Sequence, residues 1–158
     1  MKYQPNRNYK SNDEIMTPLS LAEKIVGHFK PKGRVLEPCR GTGNFLRCLP
    51  HGTEWCEINS GRDFFDYKRK VDWIITNPPW SKIRAFLQHS LEIAENIVFL
   101  MTINHLWTKA RLRDIKEASF GIKEILLVET PKEFPPLGFQ IGAVHLKKNY
   151  RGKIEINL

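Results

Sequence analysis

No run of apolar residues in this 158-residue chain approaches the roughly 20 needed to span a membrane as a helix. The opening stretch, MKYQPNRNYKSNDE, has no apolar segment of the kind a secretion signal needs. Cysteine is scarce. Cys39, Cys48 and Cys56 form no C-x-x-C pair, and none has His or Cys neighbours at zinc-site spacing, so neither a disulfide framework nor a metal is expected. Three thiols without an even pairing suit a reducing compartment, and the expected location is cytoplasmic. Repeats, low-complexity tracts and linkers are also missing. At this length the chain is expected to be one domain over 1–158, with residues 1–14 as a flexible arm. Acidic residues are outnumbered, 17 against 25 basic, which leaves a net charge of +8. That balance favours polyanionic partners, nucleic acid above all.

The residues that are present alternate between two periodicities. Leu19, Ala22, Ile25, Val26 and Phe29 recur at helical spacing, and Pro31-Lys32-Gly33 ends that helix. A short strand at 34–37 stops at Pro38. Gly41-Thr42-Gly43 then leads into a brief helix at 44–49. Residues 54–58 read as a strand, and 63–67 as the stub of another. VDWIIT at 71–76 is an apolar run typical of a strand covered on both faces. Ser81 is expected to cap a helix whose Ile83, Phe86, Leu87, Ser90, Leu91 and Ala94 share a face. Strands at 97–101, 122–128 and 140–147 and a helix at 110–118 complete the series. The last two strands are joined without a helix and should pair antiparallel. Earlier strands alternate with helices, which implies parallel pairing. The expected fold is therefore a three-layer, Rossmann-like α/β sheet, mostly parallel with an antiparallel end, abbreviated around its second and third strands.

Three stretches carry chemistry. In Glu37-Pro38-Cys39-Arg40-Gly41-Thr42-Gly43 the glycines let a ligand approach the backbone, though a tight turn alone would use them equally well. No Lys-Ser/Thr follows, which disfavours a phosphate-cradling loop. Glu37 would repel phosphates but could hold a cationic ligand. Glu57 closes the next strand, where an acid can accept both hydroxyls of a ribose; a surface glutamate is the plain alternative. Asp63 could accept from an adenine amino group, with Phe64 beside the base. Finally, Asn77-Pro78-Pro79-Trp80 ends the apolar strand. Two prolines fix two φ angles and remove two donors, so this tetrapeptide should be stiff and extended.

Taken in order, Thr17-Pro18, Glu37-Pro-x-x-Gly-x-Gly, Glu57, Asp63-Phe64 and Asn77-Pro-Pro-Trp80 resemble the S-adenosylmethionine-dependent amino-methyltransferases that carry an N/D-P-P-Y/F/W motif. The nearest likeness is to the adenine-N6 DNA methyltransferases in which the cofactor motifs come first. The resemblance spans roughly residues 15–148. It implies that S-adenosylmethionine meets Thr17, Glu37 and the Cys39 backbone at its methionine end, with Pro38, Gly41 and Gly43 also binding the cofactor. It implies Glu57 on the ribose and Ile58, Asp63 and Phe64 around the adenine. Asn77 and Pro79 touch cofactor and substrate alike. Asn77 Oδ1 and the Pro78 carbonyl would accept from the two N–H bonds of the target amine, freeing its lone pair for in-line attack on the methyl group. Trp80 would stack on the extracted base, with Phe134, or else Phe139, on its other side.

Two features depart from the family pattern. Only five residues separate Glu57 from Asp63, too few for the usual helix between them, so Asp66 or Asp72 is the alternative acid. Ten residues follow Lys148, whereas a separate target-recognition domain needs on the order of 100. Recognition is then expected from loops, a homodimer mate or another protein. Methylation of RNA adenine, methylation of a protein glutamine, and a non-catalytic nucleic-acid-binding subunit are the competing readings.

Overall fold

The computed structural model describes residue 13, residues 15–135 and residues 138–158. Apart from Asp13, the arm expected at 1–14 lies outside the described residues. In chain order the elements are α1 (Leu19–Phe29), β1 (Val35–Glu37), α2 (Asn44–Cys48), β2 (Glu54–Trp55), β3 (Val71–Thr76), α3 (Ile83–Ile93), β4 (Ala94–Thr102), α4 (Lys109–Glu117), β5 (Phe120–Val128), β6 (Ile141–Lys148) and β7 (Glu155–Asn157). Short 3₁₀ turns lie at Ile58–Ser60, Phe64–Asp66, Trp80–Lys82 and Ile103–His105.

Successive side chains of a strand face opposite ways, so a strand buried on both faces feeds two cores. Ile74 of β3 and Ile97, Phe99 and Met101 of β4 join Ile83, Phe86 and Leu87 of α3 and Ile115 of α4. Ile75, Val98 and Leu100, one position out of phase, join Leu21, Ala22, Ile25 and Val26 of α1 and Phe45 of α2. Helices therefore cover both faces of one seven-stranded sheet, in the order β2-β1-β3-β4-β6-β5-β7. β2, β1, β3 and β4 run parallel. β6 is antiparallel to both β4 and β5, and β7 pairs parallel with β5.

The structure corrects the expected elements at five places. Ala94, expected on the helix face with Ile83 and Leu91, instead begins β4. Residues 63–67 are not a strand stub. Asp63 Oδ1 accepts from Phe65 N at 2.9 Å and caps a 3₁₀ turn closed by Asp66 N donating to the Asp63 carbonyl at 3.2 Å. Residues 54–58 extend for only two before Glu57 accepts from Asn59 N at 3.2 Å and turns the chain the same way. Ser81 does not cap α3. It sits inside a 3₁₀ turn, and its N–H and Oγ–H both donate to the Asp13 carboxylate. β7 was not expected at all.

Candidate functional site

The ends of β1, β2 and β3 converge, and the loops that leave them enclose a cavity of about 550 Å³. Residues just before α1 close one side, among them Asp13, Ile15, Met16 and Thr17. Concavity at the carboxyl ends of parallel strands is where open α/β sheets hold ligands.

The glycine loop forms the floor. Gly41 and Gly43 adopt φ of +53° and +89°, a region costly for residues with a Cβ. A Cβ on Gly41 would also lie 2.5 Å from Sδ of the exposed Met16, a flexible side chain that could move aside, so the backbone angle is the main reason for glycine there. The loop is fastened from the next strand: Gly41 N donates to Glu57 Oε2 at 2.8 Å, while Glu57 Oε1 holds Asn59 N. Asn44 Nδ2 donates to the Thr17 carbonyl at 2.9 Å and joins the loop to the start of α1. Outside the cavity, Trp55 lies between the guanidinium groups of Arg40 and Arg62, each 4.0 Å from its ring centroid. Trp55 thus holds cavity-lining Arg40 by a cation–π contact.

Glu37 is fully buried beneath this loop. Its Oε1 accepts from Cys39 N at 3.0 Å and from Thr76 Oγ, whereas Oε2 has no partner. Burial pushes its carboxyl up from 4.5 to about 8, so it is largely protonated at neutral pH. Burial, then the charge of Glu37, pushes the Cys39 thiol up to about 12, which leaves it unreactive.

Asn77, Pro78 and Pro79 line the same cavity as Glu57, Ile58, Asp63 and Phe64. Thr17, Pro38, Cys39 and Gly41 line it too. Of the two alternative acids, neither Asp66 nor Asp72 reaches it. Glu37 and Gly43 do not line it: Glu37 is fully buried, and Gly43 lines a second concavity with Arg40, Thr42, Leu46 and Arg47. Sequence reasoning missed Asp13, Asn44 and Lys82, which also line the cavity. Their only signal was adjacency to the helix start, the glycine loop and the diproline.

The aromatic residues expected around a substrate base are arranged otherwise. Trp80 is 9 % exposed and packs into the α1-side core. Its indole N–H donates to Asn77 Oδ1 at 3.1 Å and to the Leu100 carbonyl at 3.2 Å. Phe134 is buried edge-on to Trp80 with ring centroids 6.1 Å apart, and His105 lies 6.0 Å away on the loop after β4. Phe139 is 57 % exposed and Trp107 47 % exposed. Their loops are joined by Ile103 N donating to the Gln140 carbonyl at 3.0 Å. In this conformation neither Trp80 nor Phe134 offers a free ring face to the cavity. Burial in a shared cluster turns both inward.

No protein-family model and no curated protein matches the sequence. Solved structures do match it in fold. A protein proposed to be an RNA methyltransferase, from Pyrococcus horikoshii, superposes with a TM-score of 0.63 at 18 % identity, covering 90 % of each chain. The 23S rRNA methyltransferase ErmE superposes at 0.64 with 15 % identity, over 87 % of this chain and 72 % of that one. The M protein of the type I restriction enzyme EcoKI also gives 0.64, at 17 % identity. The match covers 86 % of this chain and 44 % of the M protein. The chain therefore has the class I, Rossmann-like methyltransferase fold, as its strand order and antiparallel β6 require. Among the described residues no helix is long and apolar enough to cross a membrane, and no group of three or more His, Cys, Asp or Glu could hold a metal ion.

Proposed function

We propose that this chain is an S-adenosylmethionine-dependent methyltransferase acting on the exocyclic N6 amine of adenine in DNA. The observation that carries the reading is that Asn77-Pro78-Pro79 lines one cavity together with Glu57 and Asp63. The lining fits the cofactor by its chemistry. Acids at Glu57 and Asp63 suit ribose hydroxyls and an adenine amine, Ile58 and Phe64 suit the base, and a Cβ-free Gly41 lets a ligand lie on the backbone. Glu37, mostly protonated at neutral pH, would shift toward its ionised form beside a cationic ligand above the loop.

S-adenosylmethionine supplies, when bound, a methyl group on a cationic sulfur. The chain's own residues prepare the amine. An adenine amine is a weak nucleophile because its lone pair is delocalised into the ring. Asn77 Oδ1 and the Pro78 carbonyl can each accept one of its N–H bonds, which draws the nitrogen toward a tetrahedral shape. The carbonyl costs no reorganisation because two successive prolines fix it. Asn77 cannot take a proton, so the amine is oriented rather than deprotonated before transfer.

Nucleic acid as substrate is supported by the net charge of +8 and by exposed Lys109, Arg113 and Lys132 near exposed Trp107 and Phe139 in the chain. RNA is the second reading, favoured by the Pyrococcus horikoshii protein, whose length this chain matches. Incubation with methyl-labelled cofactor and either DNA or RNA, followed by nucleoside analysis, tests both. Label in N6-methyladenine from DNA supports the first reading, and label from RNA alone supports the second. Label in a protein glutamine, or binding without transfer, overturns both.

A further inference from the structure

The indole of Trp80 is held by its edge. Its one N–H is shared between Asn77 Oδ1 and the Leu100 carbonyl, and its ring is shut in against Phe134 and His105. Leu100 lies in β4 and is fully buried. The shared N–H therefore ties the side chain of Asn77 to a buried stretch of β4.

An asparagine amide presents two ends of nearly equal shape, an oxygen that accepts and an NH2 that donates. A half-turn of the side chain exchanges them. A fixed donor beside one end allows only the oxygen there, because two N–H groups facing each other repel and leave both unsatisfied. One lone pair of Oδ1 is taken by the indole, and the other remains for an incoming donor. A phenyl ring at position 80 would occupy only part of that space and would have no donor at that edge.

We infer that Trp80 is a positioning residue: its indole N–H fixes the Asn77 amide with Oδ1 turned to receive the substrate amine. The inference rests on the proposed reading, in which Asn77 meets that amine. It differs from the stacking role implied by the sequence resemblance, which needs only a ring.

The test uses the full chain and the adenine-bearing oligonucleotide that the wild type methylates. Two variants are compared, Trp80→Phe and the site-specific replacement Trp80→benzothienylalanine, which keeps the indole shape and exchanges N–H for sulfur. Loss of one neutral hydrogen bond that orients a reacting group predicts a fall in kcat of about tenfold in both. KM for the oligonucleotide and cofactor affinity should stay within about twofold, since the bond acts on the amide rather than on substrate binding. Wild-type kcat in either folded variant overturns the inference. A rise in KM with kcat unchanged assigns the ring to stacking and overturns it as well. Should Trp80→Phe lose its cooperative melt, the shape-conserving variant decides. A wild type that binds cofactor yet methylates no nucleic acid defeats the proposed function itself, a result distinct from an active wild type matched by its variants.

Discussion

Strands β4, β6 and β5 run nine, eight and nine residues, whereas β1 and β2 on the other side of β3 run three and two. The long strands hold one another by continuous ladders and bury Ile97, Val98, Leu100, Ala143 and Val144 almost completely. The short-strand side has little ladder to rely on. Its order comes from side chains holding backbone: Glu57 on Gly41 and Asn59, Asp63 on Phe65, Glu37 on Cys39. One half supplies stability by burial, and the other shapes a cavity with polar bonds that a ligand can reinforce. Regions with few ladder bonds open most easily, and binding sites are drawn from them.

The sharpest way to break this contrast is to damage the long-strand half alone. Leu100→Ala should destabilise the fold by about 2–5 kcal/mol through the cavity it leaves, with a lowered thermal midpoint. The remaining folded protein should bind S-adenosylmethionine with unchanged affinity. A large affinity loss would mean that the halves are not separable.

Damage to the short-strand half should do the reverse. Glu57→Ala removes the side-chain acceptor of two backbone N–H groups, those of Gly41 and Asn59, and, in the proposed function, the ribose acceptor. It should cut cofactor affinity by about 10- to 100-fold, the equivalent of one charged hydrogen bond, while costing the unliganded fold only about 1–2 kcal/mol. Calorimetric titration and denaturant melts read the two effects. Hydrogen exchange sharpens the comparison further. Amides of β4 and β6 should be the slowest, and those of residues 54–66 should exchange fast and slow down on adding cofactor.

Smaller effects concern pH. The raised Glu37 carboxyl holds a proton in the folded state that the unfolded chain releases between pH 4.5 and about 8. Stability should therefore fall as pH rises through that window, and Glu37→Gln should flatten the fall. A cationic ligand above the loop favours the ionised acid, so cofactor affinity should rise across the same range. His145 behaves oppositely. Stacked on Trp73 and enclosed by the sheet, its imidazole is pushed down by burial from 6.5 to about 4. The stability linked to its neutral form is present above pH 6.5 and lost as pH falls toward 4. His145→Gln should blunt this acid loss in melts between pH 4 and 7.

The two halves also differed in how far they could be read from sequence. Val71–Thr76 declares itself because a strand buried on both faces needs a mostly apolar run, here interrupted only by exposed Asp72 near its start, and its observed bounds match the expected ones. The antiparallel pairing of β5 with β6 followed from the lack of a helix between them. The short-strand half was less legible, since a side chain catching a nearby N–H, as Glu57 and Asp63 do, ends a strand that composition alone would extend. β7 escaped notice because Ile154 and Ile156 are exposed and its partner, Glu124–Leu126, lies about 30 residues back. The cavity's main acids and its diproline were legible by residue type and order. The inward turn of Trp80 was not, because its second acceptor is the carbonyl of Leu100, on another strand.

The account rests on Asn77 and Pro78 holding an amine beside a bound methyl donor, and one assay reaches it most directly. Wild type and Asn77→Ala are incubated with methyl-labelled S-adenosylmethionine and DNA, and the nucleosides are separated. The wild type should place label in N6-methyladenine, and the variant should lose about 100-fold or more in rate while keeping its cofactor affinity. Equal labelling by the two proteins, or no labelled adenine from a wild type saturated with cofactor, would contradict it.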